Sequence, residues 1–323
     1  MNYRTFLKVT IFTTLCIVFL NIIITEVFTR KVLVPNDIVV RKEKLLTEVQ
    51  DKVKIISLGD SHIQNGIYIE SKDFFNLAGS GEPIPIWYFK LKRFLNSSNN
   101  IQILLLQMDY HIFSHYRTVN IEAATTPYAA YIDEKIDRTL GAYPDPNTPQ
   151  YFGLRSLQPN YAPIVHQALR NYLSDDFDIP SLASNGTEIS TKEFIRLPEA
   201  ERFRIAERRV QIHLQNGEII DHNLLTYYER IILLAKQRGI TVILVRSPLS
   251  KEYLSFVPIS VQQEIDHVIS QLRSTHQLPL LDYRYSFTEH QEYFLDEDHL
   301  NSNGAKKLGE FISADLEQIS PRK

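Results

Sequence analysis

The 323-residue chain carries 35 basic and 38 acidic side chains, a formal net charge of −3, and 44% apolar residues. That is enough for one large α/β domain with an insertion or for two small domains, and the balance gives no reason to expect nucleic acid, which draws a basic domain. The single cysteine, Cys16, excludes an intrachain disulfide.

From the amino terminus, Val9 to Thr25 (VTIFTTLCIVFLNIIIT) is uncharged, with Arg4 and Lys8 before it and Glu26 after it. The run is at the short end for a spanning helix, about 17–25 residues, and extending it to Phe28 costs one edge charge that can reach the interface. No small-x-small pattern follows the run, so an uncleaved anchor is expected rather than a signal peptide. Basic residues flank both ends (Arg4 and Lys8; Arg30, Lys31, Arg41, Lys42 and Lys44), and their distribution does not orient the helix.

Residues 29–52 read as a linker with a short polar helix. Val53 to Leu58 (VKIISL) reads as a buried strand ended by Gly59-Asp60-Ser61, and Phe74 to Leu77 as a second strand closed by Ala-Gly-Ser-Gly at 78–81. A helix is predicted over Pro85 to Leu95 and a third strand over Ile101 to Met108. Regular alternation lapses from about His111 to Asp221, a stretch with prolines at 143–149 and a charged run, Glu199 to Arg209, read as a solvated helix face. This stretch is expected to form a mainly helical insertion. The rhythm returns with a helix over Asn223 to Arg238, stopped by Gly239. A strand over Ile240 to Val245, a helix over Ser260 to Thr275, a strand over Leu278 to Leu281 and a helix over Asn303 to Ile319 follow. Strands alternating with helices of this length predict a parallel sheet covered on both faces.

Ligand sites in such sheets lie beyond the carboxyl ends of the strands, and three segments fall there. Ser61, at a strand-to-helix turn, can present both its hydroxyl and its N–H to one substrate atom, with Gly59 easing the turn; three such common residues also make an ordinary N-cap. The glycine-containing turn Asn76 to Gly81 can aim N–H groups at a developing oxyanion, or be a plain loop. In Asp296-Glu297-Asp298-His299, the imidazole can serve as base toward Ser61 and then as acid toward a leaving group, with Asp296 turning back to orient it. Asp298 is the rival carboxylate. Being adjacent to His299, its side chain is expected to point elsewhere, toward capping the next helix. One histidine among carboxylates is a poor metal signature, and no metal or cofactor is expected.

Taken in order, these segments resemble the SGNH (GDSL-type) hydrolase superfamily over about 53–110 and 223–318. The resemblance implies a three-layer α/β/α sandwich with a mainly parallel sheet, preceded by the anchor. It implies Ser61 as nucleophile, His299 as base, Asp296 as acid, and the N–H groups of Ser61 and Gly81 as oxyanion donors. The third block normally carries a Gly-x-Asn-Asp turn whose asparagine completes the oxyanion hole. Here the strand is followed by Asp109, Tyr110 and His111 instead, which leaves that donor unassigned.

An amino-terminal anchor, a GDSH block, the missing asparagine and a long insertion are together similar to the anchored SGNH-like proteins of bacterial envelopes. That implies a serine O-acyl esterase or O-acyltransferase acting on an envelope carbohydrate polymer, beside a multispanning membrane acyltransferase. Residues 1–28 would be a cytoplasmic tip and transmembrane anchor, 29–52 a linker, and 53–323 an extracytoplasmic catalytic domain with its insertion at about 111–221. His62, Asp109, Tyr110 and Arg246 are candidate substrate contacts. Two rivals remain at this point: a non-catalytic SGNH-like module that binds polysaccharide or scaffolds an acyltransferase complex, and a membrane-tethered lipase.

Overall fold

The computed structural model describes residues 2–119, 162–174, 179–214 and 218–319. The prolines at 143–149 and much of the expected insertion lie outside the described residues. The chain divides into two compact units, Met1–Glu43 with Pro144–Pro180, and Lys44–Tyr143 with Ser181–Lys323.

In the first unit, helix α1 (Tyr3–Phe28) is capped by Asn2, whose side chain accepts from the Thr5 N–H at 3.0 Å. The helical stretch runs on through a π-helical turn, Thr29–Leu33, past the expected end at Phe28. Tyr3–Leu33 has a mean hydropathy of 2.3 in its most apolar window, none of which is buried in the protein. It is long and apolar enough to cross a membrane once, which supports a single-pass topology. Thr25 and Thr29 satisfy their hydroxyls on carbonyls four residues back, each at 2.8 Å, the arrangement a polar side chain needs in an apolar helix.

The second unit begins within helix α2 (Ile38–Val49). It is built on strands β1 (Ile55–Leu58), β2 (Phe74–Asn76) and β3 (Ile103–Gln107), with helix α3 (Ser61–Gly66) after β1 and helix α4 (Ile84–Ser97) before β3. Helix α5 (Ala162–Leu173) belongs to the first unit. A two-stranded hairpin, β4 (Ser181–Leu182) and β5 (Glu188–Ile189), precedes helices α6 (Glu199–Leu214) and α7 (His222–Gln237). Strand β6 (Thr241–Arg246), helices α8 (Lys251–Phe256) and α9 (Ile259–His276), strand β7 (Leu280–Asp282) and helix α10 (Ser302–Ile319) complete it.

The five main strands lie in the order β2-β1-β3-β6-β7, every neighbouring pair parallel. Side chains alternate across this sheet with period two. Ile56, Leu58, Leu104, Leu106, Val242 and Leu244 pack with α4, α7 and α9 on one face. Leu105, Ile243, Val245 and Leu281 pack with α3 and α10 on the other. The result is a three-layer α/β/α arrangement around a five-stranded parallel sheet. The hairpin covers the β2 edge, where the Asn76 N–H donates to Asn185 O at 2.8 Å, so that strand edge is not left open.

The run Glu199 to Arg209 forms much of α6, but it is not a wholly solvated face. Arg202, Ala206, Val210, His213 and Leu214 are buried. Arg202 pairs with the buried Glu252 at 2.8 Å, so at that position the charge is matched by a partner rather than by water.

Candidate active site

β1 ends at Leu58, and only glycine fits at Gly59, the next residue. A Cβ there would lie 2.5 Å from both Gln107 Oε1 and Ile63 Cγ1. Asp60 then caps α3, its carboxylate accepting from the His62 N–H at 2.9 Å, and Ser61 becomes the first residue of the helix. A buried clamp fixes Asp60. Its N–H donates to Gln107 Oε1 at 2.6 Å, its Oδ1 accepts from Gln107 Nε2 at 2.8 Å, and its Oδ2 meets His111 Nε2 at 2.7 Å and the Arg117 guanidinium.

The histidine loop is closed by a small antiparallel bridge, Phe294 with Leu300. Inside it, Asp296 Oδ1 accepts from the N–H groups of Asp298 and His299 at 3.1 and 2.9 Å, an Asx-type turn. Asn301 caps α10 by accepting from the Asn303 and Gly304 N–H groups.

These two loops meet. His299 Nε2 lies 2.7 Å from Ser61 Oγ, and His299 Nδ1 lies 2.8 and 3.0 Å from the two Asp296 oxygens. Hydroxyl, imidazole and carboxylate therefore stand in one hydrogen-bonded line, with the imidazole able to take the hydroxyl proton. Ser61, His299, Asp296 and Gly81 all line one cavity of about 290 Å³. Gly81 has φ +72° with open space where a Cβ would stand. Among the described residues, the Ser61 and Gly81 N–H groups meet no acceptor in the protein.

Asp298 departs from expectation. It does not turn away to cap α10, a task Asn301 performs. It is fully buried, with Oδ1 3.0 Å from His299 Nδ1 and Oδ2 3.3 Å from His62 Nε2. Both approaches are oblique, so neither oxygen makes an aligned hydrogen bond. A tight loop carrying Asp296 back onto its own amides brings both carboxylates to the same ring. Burial works against charge at His299, but Asp296 and Asp298 outweigh it and hold its pKa well above the usual imidazole value.

The four candidate substrate contacts separate. His62 lines the cavity and is also pinned behind it, with Nδ1 3.0 Å from Asp109 Oδ2. Asp109 is buried beneath, accepting from Gln107 Nε2 at 2.8 Å and from the Ser247 N–H at 2.8 Å. Tyr110 and Arg246 do not line this cavity. Arg246 stacks over the Tyr110 ring at 4.7 Å, pairs with Asp266 at 2.5 Å, and faces a separate cavity of about 650 Å³. The reason is register. Leu106 and Leu244 belong to the α4, α7 and α9 face, and Tyr110 and Arg246 share their parity.

Several site residues escaped the sequence reading. Asn65, one helical turn after Ser61, is buried and lines the cavity. Arg117, Arg209 and His213 line it as well, and so does His111, which the sequence does place at this cleft, just after the third strand. His111 and His213 stack with ring centroids 4.7 Å apart. Burial, then the charge of His62, lowers the His111 pKa to about 3, and burial holds His213 well below its usual value. The i, i+4 spacing of Ser61 and Asn65 was the one signal for the missed residues.

Side chains of metal-ligating type come together in three groups: Asp60, His62 and His111; His62, Asp298 and His299; and Asp296, Glu297 and Asp298. The acidic cluster thus has in space the second imidazole that it lacks in sequence. In the first group Asp60 is taken up by Arg117 and Gln107, and in the others Asp298 and Glu297 face Arg209. A carboxylate of each group thus already has a cationic partner.

No family model and no curated protein matches the chain. Among solved structures it is similar to the 2.00 Å crystal structure of a candidate acylhydrolase from Bacteroides fragilis NCTC 9343, at 10% identity and a TM-score of 0.40 over 86% of this chain and 96% of that one.

Proposed function

We propose that the chain is a membrane-anchored, SGNH-type serine enzyme that carries a short acyl group on Ser61. The group passes to water or to a sugar hydroxyl of an envelope carbohydrate polymer on the outer side of the membrane. The observation that carries this reading is the contiguous line Ser61–His299–Asp296 at 2.7 and 2.8 Å opening into a cavity.

In the proposed sequence Ser61 Oγ attacks the acyl carbonyl while its proton passes to His299 Nε2, and the imidazolium is held by Asp296. The carbonyl oxygen, now anionic, takes the N–H groups of Ser61 and Gly81. His299 then protonates the departing alkoxide. In the second half it removes a proton from the acceptor hydroxyl, which attacks the acyl-enzyme and releases Ser61.

The cavity lining supports a short acyl group. Among the described residues that line it, Leu295 is the one aliphatic side chain, against Asn65, His111, Arg117, Arg209 and other polar groups. A long acyl chain draws about 0.8 kcal/mol per methylene from apolar surroundings, which this lining does not supply. The polar walls suit a sugar hydroxyl ester instead, and this favours the carbohydrate reading over a lipase.

The test is labelling of the full-length protein with a fluorophosphonate, wild type against Ser61→Ala, followed by a series of esters of rising chain length. Labelling lost in Ser61→Ala and turnover confined to short esters are expected. Labelling that persists in the variant removes the proposal.

A further inference from the structure

Behind the Ser61–His299 pair lies a second imidazole that the proposed chemistry does not use. His62 is 2% exposed and held on both sides by buried carboxylates: Nδ1 is 3.0 Å from Asp109 Oδ2, and Nε2 is 3.3 Å from Asp298 Oδ2. A neutral imidazole carries one proton and one lone pair. With the proton toward either carboxylate, the lone pair would face the other in a dry environment, an arrangement that costs free energy on both atoms. A ring with protons on both nitrogens donates to Asp109 and turns its charge toward Asp298, which lies 3.3 Å away and off the line of a hydrogen bond.

The position of this ring gives it a task. Asp298 also stands 3.0 Å from His299 Nδ1, in addition to Asp296 at 2.8 Å, so two carboxylates press on the imidazole that must begin the reaction unprotonated. The His62 and His299 ring centroids are 5.1 Å apart, edge to face. Resting on the acyl-enzyme reading above, we infer that His62 is a resident imidazolium that offsets part of the Asp298 charge at His299 and so extends to lower pH the range in which His299 can act as a base. His62 is thus a positioning residue acting through electrostatics.

The surroundings agree with this assignment. The groups facing His62 are Asp109 beyond β3, Asp298 and His299 in the histidine loop, and His111, whose ring centroid is 4.5 Å away. Those facing His299 are Ser61, Asp296, Asp298 and His62. Farther out, Asp298 also meets Arg209 at 3.7 Å and His213 at 3.6 Å, and Glu297 pairs with Arg209. Burial opposes a charge on His62, but the hydrogen bond to Asp109 and the contact with Asp298 outweigh it and raise its pKa. His111 and His213 move the other way, so among these histidines outside the base itself His62 is the one whose surroundings favour the charged form. An alternative role in which His62 merely fills space would not need a carboxylate on each nitrogen.

The test has two arms on the full-length protein in detergent. Ring ¹⁵N NMR of histidine-labelled wild type, assigned by difference with His62→Gln, is expected to show both His62 nitrogens protonated from pH 6 to pH 8. A ring with one unprotonated nitrogen there overturns the inference. In the second arm, the fluorophosphonate labelling rate is followed against pH. Two unit charges at this ring separation interact, at an effective dielectric near 20, strongly enough to move a pKa by roughly two to two and a half units.

His62→Gln is therefore expected to move the acid limb of the rate profile up by about that much. Asp298→Asn should move it down, and the double variant should return it toward wild type. Asp298→Asn keeps the test sharp if His62→Gln folds poorly, because it need not disturb the Asp109 contact. Lower rates at every pH with the limb unmoved in both variants overturn the inference. A wild type that is never labelled overturns the acyl-enzyme reading itself, and the role of His62 with it. A labelled wild type with unmoved limbs overturns the role of His62 alone.

Discussion

Replacing Gln107 by leucine tests whether the buried clamp beneath the serine turn holds the site together. The Gln107 amide makes three contacts: its oxygen accepts from the Asp60 N–H at 2.6 Å, and its nitrogen donates to Asp60 and Asp109, each at 2.8 Å. Only one orientation of the amide satisfies all three. Leucine keeps the volume and removes every one. Hydrogen bonds to charged acceptors contribute about 1.5–3 kcal/mol each, and a buried N–H left unpaired costs about 1–3 kcal/mol. Asp60 keeps His62 N–H, His111 and Arg117, and Asp109 keeps His62 and Ser247 N–H. The low end of that range is therefore expected, about 4 kcal/mol. For a unit of this size 1 kcal/mol moves the midpoint by about 2–4 °C, so the Tm should drop by roughly 8–16 °C. Thermal unfolding followed by near-UV circular dichroism measures it, alongside fluorophosphonate labelling of the folded protein. A midpoint within about 2 °C of wild type, with labelling undiminished, would refute the view that this amide positions Asp60 and, through it, Ser61.

Three further outcomes follow from the same geometry. Because Asp298 stands beside Asp296 at the His299 ring, Asp296→Asn should lower the labelling rate by about 10–100-fold, short of the ~10⁴-fold loss where one acid acts alone; the double Asn variant should show the full loss, and equal losses in single and double variants would refute the sharing. His111 stays neutral in the folded protein down to about pH 3 but takes a proton near 6.5 once unfolded, so between those values the unfolded chain binds the extra proton and stability falls on acidification. At pH 5 this amounts to about 2 kcal/mol; His111→Gln should narrow the gap between urea midpoints at pH 7 and pH 5, and an unchanged gap counts against a neutral buried His111. Gly309→Ala would set a Cβ 1.9 Å from the Tyr68 carbonyl oxygen; a loss of about 2–3 kcal/mol in thermal unfolding is expected, and a neutral result would mean that the helix shifts freely.

Much of the α/β core was legible because its signals are local. Runs such as VKIISL and ITVILV, short, rich in β-branched residues and bounded by turn residues, read as buried strands, and the end of the first locates the turn that carries Ser61. The parallel sheet came with them. What stayed hidden depends on which way a side chain faces once distant segments meet. Arg246 was assigned to the cleft because it ends a strand at the right edge, yet the period of two sends it to the α9 side, against Asp266 and Tyr110. Asp298 was set aside because neighbours in an extended chain point apart, but the turn built by Asp296 on its own amides folds that separation away. Arg202 and Arg209 looked like solvent-facing charges, and their partners Glu252 and Glu297 lie 50 and 88 residues away in the chain, beyond the reach of any local pattern.

The joint between α3 and α10 carries a consequence of its own. Gly309 lets the last helix press against the main chain at Tyr68, just past the end of α3, and the Tyr68 N–H donates to Ala305 O at 3.2 Å. The segment bearing the hydroxyl and the segment following the imidazole are thus bolted backbone to backbone. Their spacing is set by main-chain atoms that every amino acid shares. Side chains around the bolt are free to drift over evolutionary time while the two reactive atoms keep their distance, provided that the one position without a β-carbon stays bare.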